Sequence, residues 1–124
     1  LLPPNYYKGA MAKDETLLKY YTDVADASSL PVFIYNMPGN TGINISSTVI
    51  AKLAEHPNIV GVKDTSGNIV QMAEIARDTD DSFAIFAAEI GQQNISAVFS
   101  LATSPTRMFA TTFGVFESVA TFSK

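Results

Sequence analysis

The stretch "VFIYNMPGNTGINIS", Val32 to Ser46, and the stretch "NIVGVKDTSGN", Asn58 to Asn68, decide how this chain folds. Each opens as a short continuous apolar run and closes in polar, glycine-bearing sequence. A run of this kind is what a strand buried on both faces presents. Between them, "SSTVIAKLAEH" predicts a helix with Val49, Ile50 and Leu53 on one face and Ser46 or Ser47 as its N-cap. The order is strand, turn, helix, strand, and the first strand carries Tyr35 where the second carries Lys63.

The same rhythm continues on either side. Upstream, "DETLLKYYTDVADA" sets Leu17, Leu18, Tyr21, Val24 and Ala25 at helical spacing, with Asp14 placed as N-cap and acids in the first turn. "SSLP" stops that helix. The leading "LLPP" reads as the end of a strand already under way, and without an initiator methionine the chain reads as a fragment. Downstream, "GNIVQMAEIARDT" predicts a third helix with Ile69, Met72, Ala73, Ile75 and Ala76 inward, and "SFAIFAA" a third strand. Strands alternating with helices in this way imply right-handed crossovers and a parallel sheet. After Ala88 the pattern loosens into a tail rich in Thr, Ser and Phe with no clear strand and turn rhythm. The expected division is therefore residues 1–88, a parallel α/β unit, and residues 89–124, a divergent tail.

Composition narrows the function classes. A chain of 124 residues that is 47% apolar can bury one real core. A formal charge of -4 with no Lys/Arg cluster argues against nucleic acid, whose phosphates require a concentrated basic surface. No cysteine means no disulfide framework and no thiolate metal site, and one histidine leaves little for a histidine-based metal centre. The longest apolar runs fall well short of the roughly 20 residues a membrane helix needs, and no signal-peptide pattern opens the chain. An intracellular protein of the cytoplasm or mitochondrial matrix, acting on a small molecule, is the expectation. His56, at the end of the second helix, is expected to serve structure. Asn44-Ile45-Ser46 and Asn94-Ile95-Ser96 fit the glycosylation tripeptide but carry little meaning without a secretory signal. "GNTG" and "DTSGN" match neither a P-loop nor a dinucleotide fingerprint and are read as turns, which leaves a flavodoxin-like nucleotide binder without its phosphate loop.

The chemistry sits at the strand ends. In parallel α/β structures ligands bind at the carboxyl ends of the strands, where both Tyr35 and Lys63 fall. A lysine at a strand end is commonly just a solvated residue, and a tyrosine there a packed ring. Together on neighbouring strands they suggest more. An amine desolvated by an apolar strand is more readily neutral, and a neutral amine attacks a ketone. At the reference value of about 10.4, only about one lysine in several thousand is neutral at pH 7. A phenol beside such an amine relays protons as a carbinolamine forms and dehydrates.

These residues resemble a known family, the class I pyruvate-dependent aldolases of the dihydrodipicolinate synthase and N-acetylneuraminate lyase superfamily. "YNMPGNTG" is similar to its Tyr-Asn-x-Pro-x-x-Thr-Gly segment, "GVKDTSGN" to its Gly-x-Lys-Asp/Glu-x-x-Gly segment, and "PNYYKG" to its Pro-x-Tyr-Tyr segment, in family order and at family spacing over roughly Leu1 to Ala88. The resemblance implies a (β/α)8 barrel, present here as a C-terminal-half fragment holding about the fourth to seventh strands. It implies Lys63 as Schiff-base lysine, Tyr35 as proton relay, Tyr6 as the tyrosine that reaches a neighbouring subunit's site, and Thr65 in the substrate pocket. It also implies a homo-oligomer, a dimer of dimers, and no metal or organic cofactor, because the imine is itself the electron sink.

Asn40 stands where dihydrodipicolinate synthases carry an arginine that grips a substrate carboxylate, and asparagine cannot supply that charge. The segments "PGNTG", "YYKGAM" and "HPNIVGVKDTSGN" more closely resemble the 4-hydroxy-2-oxoglutarate aldolase branch, with its deoxy-sugar-acid aldolases, which is preferred over dihydrodipicolinate synthase or a non-catalytic fragment of such an enzyme. Two departures stand out. A complete barrel takes about 250 residues, and "EIGQQNISAVFS" replaces the Gly-rich turn expected after "FAIFAA".

Overall fold

A computed structural model of the protein describes residues 1–87 and 108–110. A short 3-10 turn, Asn5–Tyr7, and α1, Lys8–Met11, lead into α2, Asp14–Ala27. β1, Val32–Asn36, is followed by the single helical turn α3, Pro38–Thr41, and by α4, Ser47–Ala54. Then come β2, Ile59–Asp64, α5, Ile69–Asp78, β3, Ala84–Ala87, and β4, Met108–Ala110. The four strands form one sheet in the order β1-β2-β3-β4 with every pairing parallel, as the alternation of strands and helices predicts. The leading "LLPP" extends the same ladder. Leu1 N–H donates to the Phe33 carbonyl at 2.6 Å and Tyr35 N–H to the Leu1 carbonyl at 2.9 Å, which is one rung of parallel pairing on the free edge of β1.

The helices form where their caps and apolar stripes direct. Ser46 caps α4, its hydroxyl accepting from Val49 N–H at 3.3 Å, and Val49, Ile50 and Leu53 are buried as their spacing requires. Asn68 caps α5 in the same way through Gln71 N–H at 3.1 Å. In α2, Leu17, Tyr21 and Ala25 are buried, with Leu18 and Val24 at the margin of the stripe. Asp14 is not the N-cap. That place falls to Lys13, which makes no side-chain cap bond, while Asp14 and Glu15 occupy the first turn, where negative charge complements the helix dipole. In α5 the expected stripe is rotated at its start: Ile69 is 39% exposed and Gln71 is buried. The reason is polar demand, since Gln71 has buried partners beneath it and Ile69 has none.

Register places whole rows of side chains on one face or the other. Ile34, Val62 and Ile85 are paired across β1, β2 and β3, and all three are fully buried beneath α2, α4 and α5. The neighbouring row, Tyr35, Lys63 and Phe86, lies on the opposite face. β1 and β2 were expected to be buried on both faces. Among the described residues only the helix-covered face is closed, and β1 alternates, with Phe33 38% exposed. The apolar run is therefore real but is covered on one side alone.

Gly61 opens that uncovered face for packing. A Cβ there would lie 2.5 Å from the Ala84 carbonyl oxygen and against the Phe33 ring. Its absence lets the Phe33 ring cross β2 to meet Phe86 edge-to-face, with centroids 5.6 Å apart.

Residues 88–107 and 111–124, which take in most of the expected tail, lie outside the described residues, including the Asn94 tripeptide and the "EIGQQNISAVFS" segment. β4 does fall within that tail, where no strand was expected. Three residues are too few for hydrophobic periodicity to register. Among the described residues no helix is long and apolar enough to cross a membrane.

Candidate active site

Tyr35 and Lys63 are register partners at the carboxyl ends of β1 and β2. Strand alternation sends both side chains to the uncovered face, where each is half-buried. The Lys63 Nζ sits over the Tyr35 ring, 4.6 Å from its centroid, a cation–π contact that holds amine and phenol side by side. Phe86, the register partner of Lys63 on β3, packs edge-to-face with Phe33 on the same face of the sheet.

Immediately behind this pair, on the helix-covered face, lies a polar network that the sequence reading missed. Asn36 follows Tyr35 and Asp64 follows Lys63, so the two are also register partners. Asn36 is fully buried, Asp64 is 1% exposed and Gln71 is 6% exposed. Asp64 Oδ2 accepts from Asn36 Nδ2 at 3.0 Å and from Gln71 Nε2 at 2.9 Å, while Oδ1 accepts from Ser66 N–H at 2.7 Å. Asn36 Nδ2 donates also to Asn44 Oδ1 at 2.9 Å, and its Oδ1 accepts from Ile45 N–H at 3.0 Å. Gln71 Oε1 takes Asn44 Nδ2 at 2.9 Å. The one sequence signal for this network is a polar residue at an alternate position that belongs to the buried face of an apolar strand.

The remaining candidates are distributed unevenly. Thr65 donates twice to the Asn36 carbonyl, from its backbone N–H at 3.0 Å and its hydroxyl at 3.1 Å, and so fastens the end of β2 to β1. Asn40 lies exposed on α3, its backbone N–H bonded to the Met37 carbonyl at 3.0 Å. That turn closes on Gly42, whose φ of 67° is the left-handed cap glycine adopts readily. Tyr6 is 93% exposed in the 3-10 turn, with Tyr7 beside it at 68%. The structure thus brings Tyr35 and Lys63 together and leaves Tyr6 and Asn40 facing solvent. His56 has a structural place: its Nδ1 accepts from Asn58 N–H at 3.1 Å and its Nε2 contacts Asp26 at 3.0 Å. Asn44 and Ser46 of the first glycosylation-like tripeptide are occupied as network member and helix cap.

A family model described as the dihydrodipicolinate synthetase family matches residues 1–101. The chain belongs to that family. It is 49% identical over 74 residues to a 4-hydroxy-tetrahydrodipicolinate synthase of Methanospirillum hungatei, an alignment covering 59% of this chain and 25% of that protein. It is 44% identical over 87 residues to a probable mitochondrial 4-hydroxy-2-oxoglutarate aldolase of Emericella nidulans, covering 69% of this chain and 28% of that protein. A crystal structure of a dihydrodipicolinate synthase from Bacillus anthracis superposes with a TM-score of 0.74 at 29% identity, covering 87% of this chain and 35% of that one. The chain thus spans about a quarter of the length of these curated relatives. In this family the four parallel strands with their helices are part of a (β/α)8 barrel, and the helix-covered face is the barrel's outer layer. Tyr35 and Lys63 then stand on the inner face at the carboxyl-terminal rim, which is where barrel enzymes assemble their sites. The match reaches past Ala88, the point at which the sequence pattern loosens.

Proposed function

We propose that this chain carries the Schiff-base machinery of a pyruvate-dependent class I aldolase. The observation that carries the reading is the opposition of Lys63 and Tyr35 across the rim of β1 and β2, with Nζ 4.6 Å from the ring centroid. Lys63 Nζ attacks C2 of a 2-oxo acid to give a carbinolamine, which loses water to form the protonated imine. The C3–C4 electron pair then moves into the imine, releasing an aldehyde and leaving an enamine. Protonation at C3 and hydrolysis return pyruvate and the free amine. Tyr35 moves the protons in these steps. Thr65, fixed to the end of β1, borders the bound acid. Tyr6, exposed in the first turn, is suited to completing the relay in a neighbouring subunit of a homo-oligomer, a dimer of dimers.

For the substrate, Asn40 favours the 4-hydroxy-2-oxoglutarate and deoxy-sugar-acid aldolase branch, because it stands where the resemblance assigns an arginine to dihydrodipicolinate synthases. The alternative, condensation of pyruvate with a carboxylate-bearing aldehyde, is favoured by the 49% identity to a 4-hydroxy-tetrahydrodipicolinate synthase. The test uses the full-length protein that contains this sequence. Pyruvate followed by borohydride is expected to leave a stable adduct on the peptide bearing Lys63. Pyruvate release from 4-hydroxy-2-oxoglutarate, set against condensation with the aldehyde, decides the branch. No adduct under saturating pyruvate would overturn the Schiff-base reading.

A further inference from the structure

The buried network behind the rim has a feature that packing does not require. All three groups bonded to Asp64 are N–H donors, two on Oδ2 and one on Oδ1. That is the pattern of an ionised carboxylate, which accepts only, whereas a protonated carboxyl would need an acceptor of its own. Among the described residues no Lys, Arg or His forms an ion pair with it. A buried charge held only by amide donors is costly to keep, so its use lies in what it holds.

What it holds is the alignment of the rim. Asn36 and Asp64 occupy the rung next to Tyr35 and Lys63 in the same ladder, on the opposite face. Their side-chain bond therefore spans the same two strands as the amine–phenol contact. Through Ser66 N–H and Gln71, Asp64 also fixes the start of the loop after β2 and the first turns of α5. Through Asn36 it reaches Asn44 and Ile45, at the end of the segment that carries Asn40. One carboxylate is the shared acceptor for the ends of both strands and for the helix behind them.

We propose that Asp64 is a positioning residue for Lys63 and Tyr35, acting through Asn36 and Gln71 from the outer face of the sheet. The proposal rests on the Schiff-base reading above. In Asp64→Asn the new amide cannot satisfy all three donors, so at least one of them is left without an acceptor. The rim then loosens and the amine and phenol lose their alignment, although both reacting groups are still present.

The test measures imine formation with pyruvate by borohydride trapping at increasing pyruvate, in the full-length protein, beside the melting temperature. In D64N the maximal trapping rate falls about 10- to 100-fold, the scale of a displacement near 1 Å away from the chemistry. The half-saturating pyruvate concentration changes little, because the loss lies in orientation rather than uniform binding. Asn36→Asp combined with D64N restores a carboxylate–amide pair across the rung and recovers much of the rate. Gln71→Met, of similar volume, removes one donor and lowers the rate by a smaller factor. It also carries the test if D64N does not fold. A D64N or Q71M protein that is folded and traps pyruvate at the unmodified maximal rate overturns the positioning role alone. No trapping in the unmodified protein overturns the Schiff-base reading and this proposal with it.

Discussion

The two faces of the sheet are built from the same strands and answer to different demands. On the outer face, Ile34, Val62 and Ile85 make a fully buried row that α2, α4 and α5 close. On the inner face, one residue further along each strand, the row is Tyr35, Lys63 and Phe86, half-buried and open at the rim. The outer row tolerates exchange among apolar side chains as long as volume is kept. The inner row sets an amine and a phenol side by side, the pair on which the proposed Schiff-base chemistry depends. A period of two residues separates the closed face from the open one, and the Asn36–Asp64 pair is a buried polar link immediately beside the Tyr35–Lys63 rung.

That separation can be tested from both sides in the full-length protein. The largest effect is expected from Lys63→Arg, which abolishes imine formation because a guanidinium stays protonated and cannot attack a ketone. Borohydride trapping reads this directly, and the melting temperature is expected to stay close to that of the unmodified protein. Next comes Tyr35→Phe, which keeps the ring over Lys63 but removes the proton route. Turnover falls by about 10²–10⁴-fold, whereas unchanged turnover would return Tyr35 to a packing role.

Ile34→Ala breaks the comparison from the other face. Deleting a fully buried side chain from the outer row costs about 2–5 kcal/mol of stability. Denaturant unfolding measures that loss, and turnover per folded molecule is expected to change little. Loss of activity at full stability would mean that the faces are not separable here.

The smallest effect sharpens the boundary between the faces. Gly61→Ala puts a Cβ 2.5 Å from the Ala84 carbonyl oxygen and against the Phe33 ring, so β3 or the ring must move. The expected cost is about 1–3 kcal/mol. Adding Phe33→Ala relieves only the ring clash, so partial recovery in the melting temperature identifies the remainder as backbone crowding between β2 and β3.

By itself the sequence determined the alternation of the main helices and strands as far as β3, the parallel class, the apolar faces of α2 and α4, and the placing of Tyr35 and Lys63 at matching strand ends. Each of these follows from local rules: caps, the helical and strand periods, and chain segments of fixed length. Tertiary structure alone decided the rest. Asn36, Asp64 and Gln71 are polar residues at positions where periodicity asks for apolar ones, brought together by parallel register and by the helix that returns over the sheet. The same network explains why α5 buries Gln71 in preference to Ile69, since an unpaired buried carboxylate or amide costs more than an exposed isoleucine. The shift of Asp14 into the first turn and the strand at Met108–Ala110 were beyond local reading as well. At Asp14 the helix starts one residue earlier than the cap preference implies, and at Met108–Ala110 three residues carry no readable period.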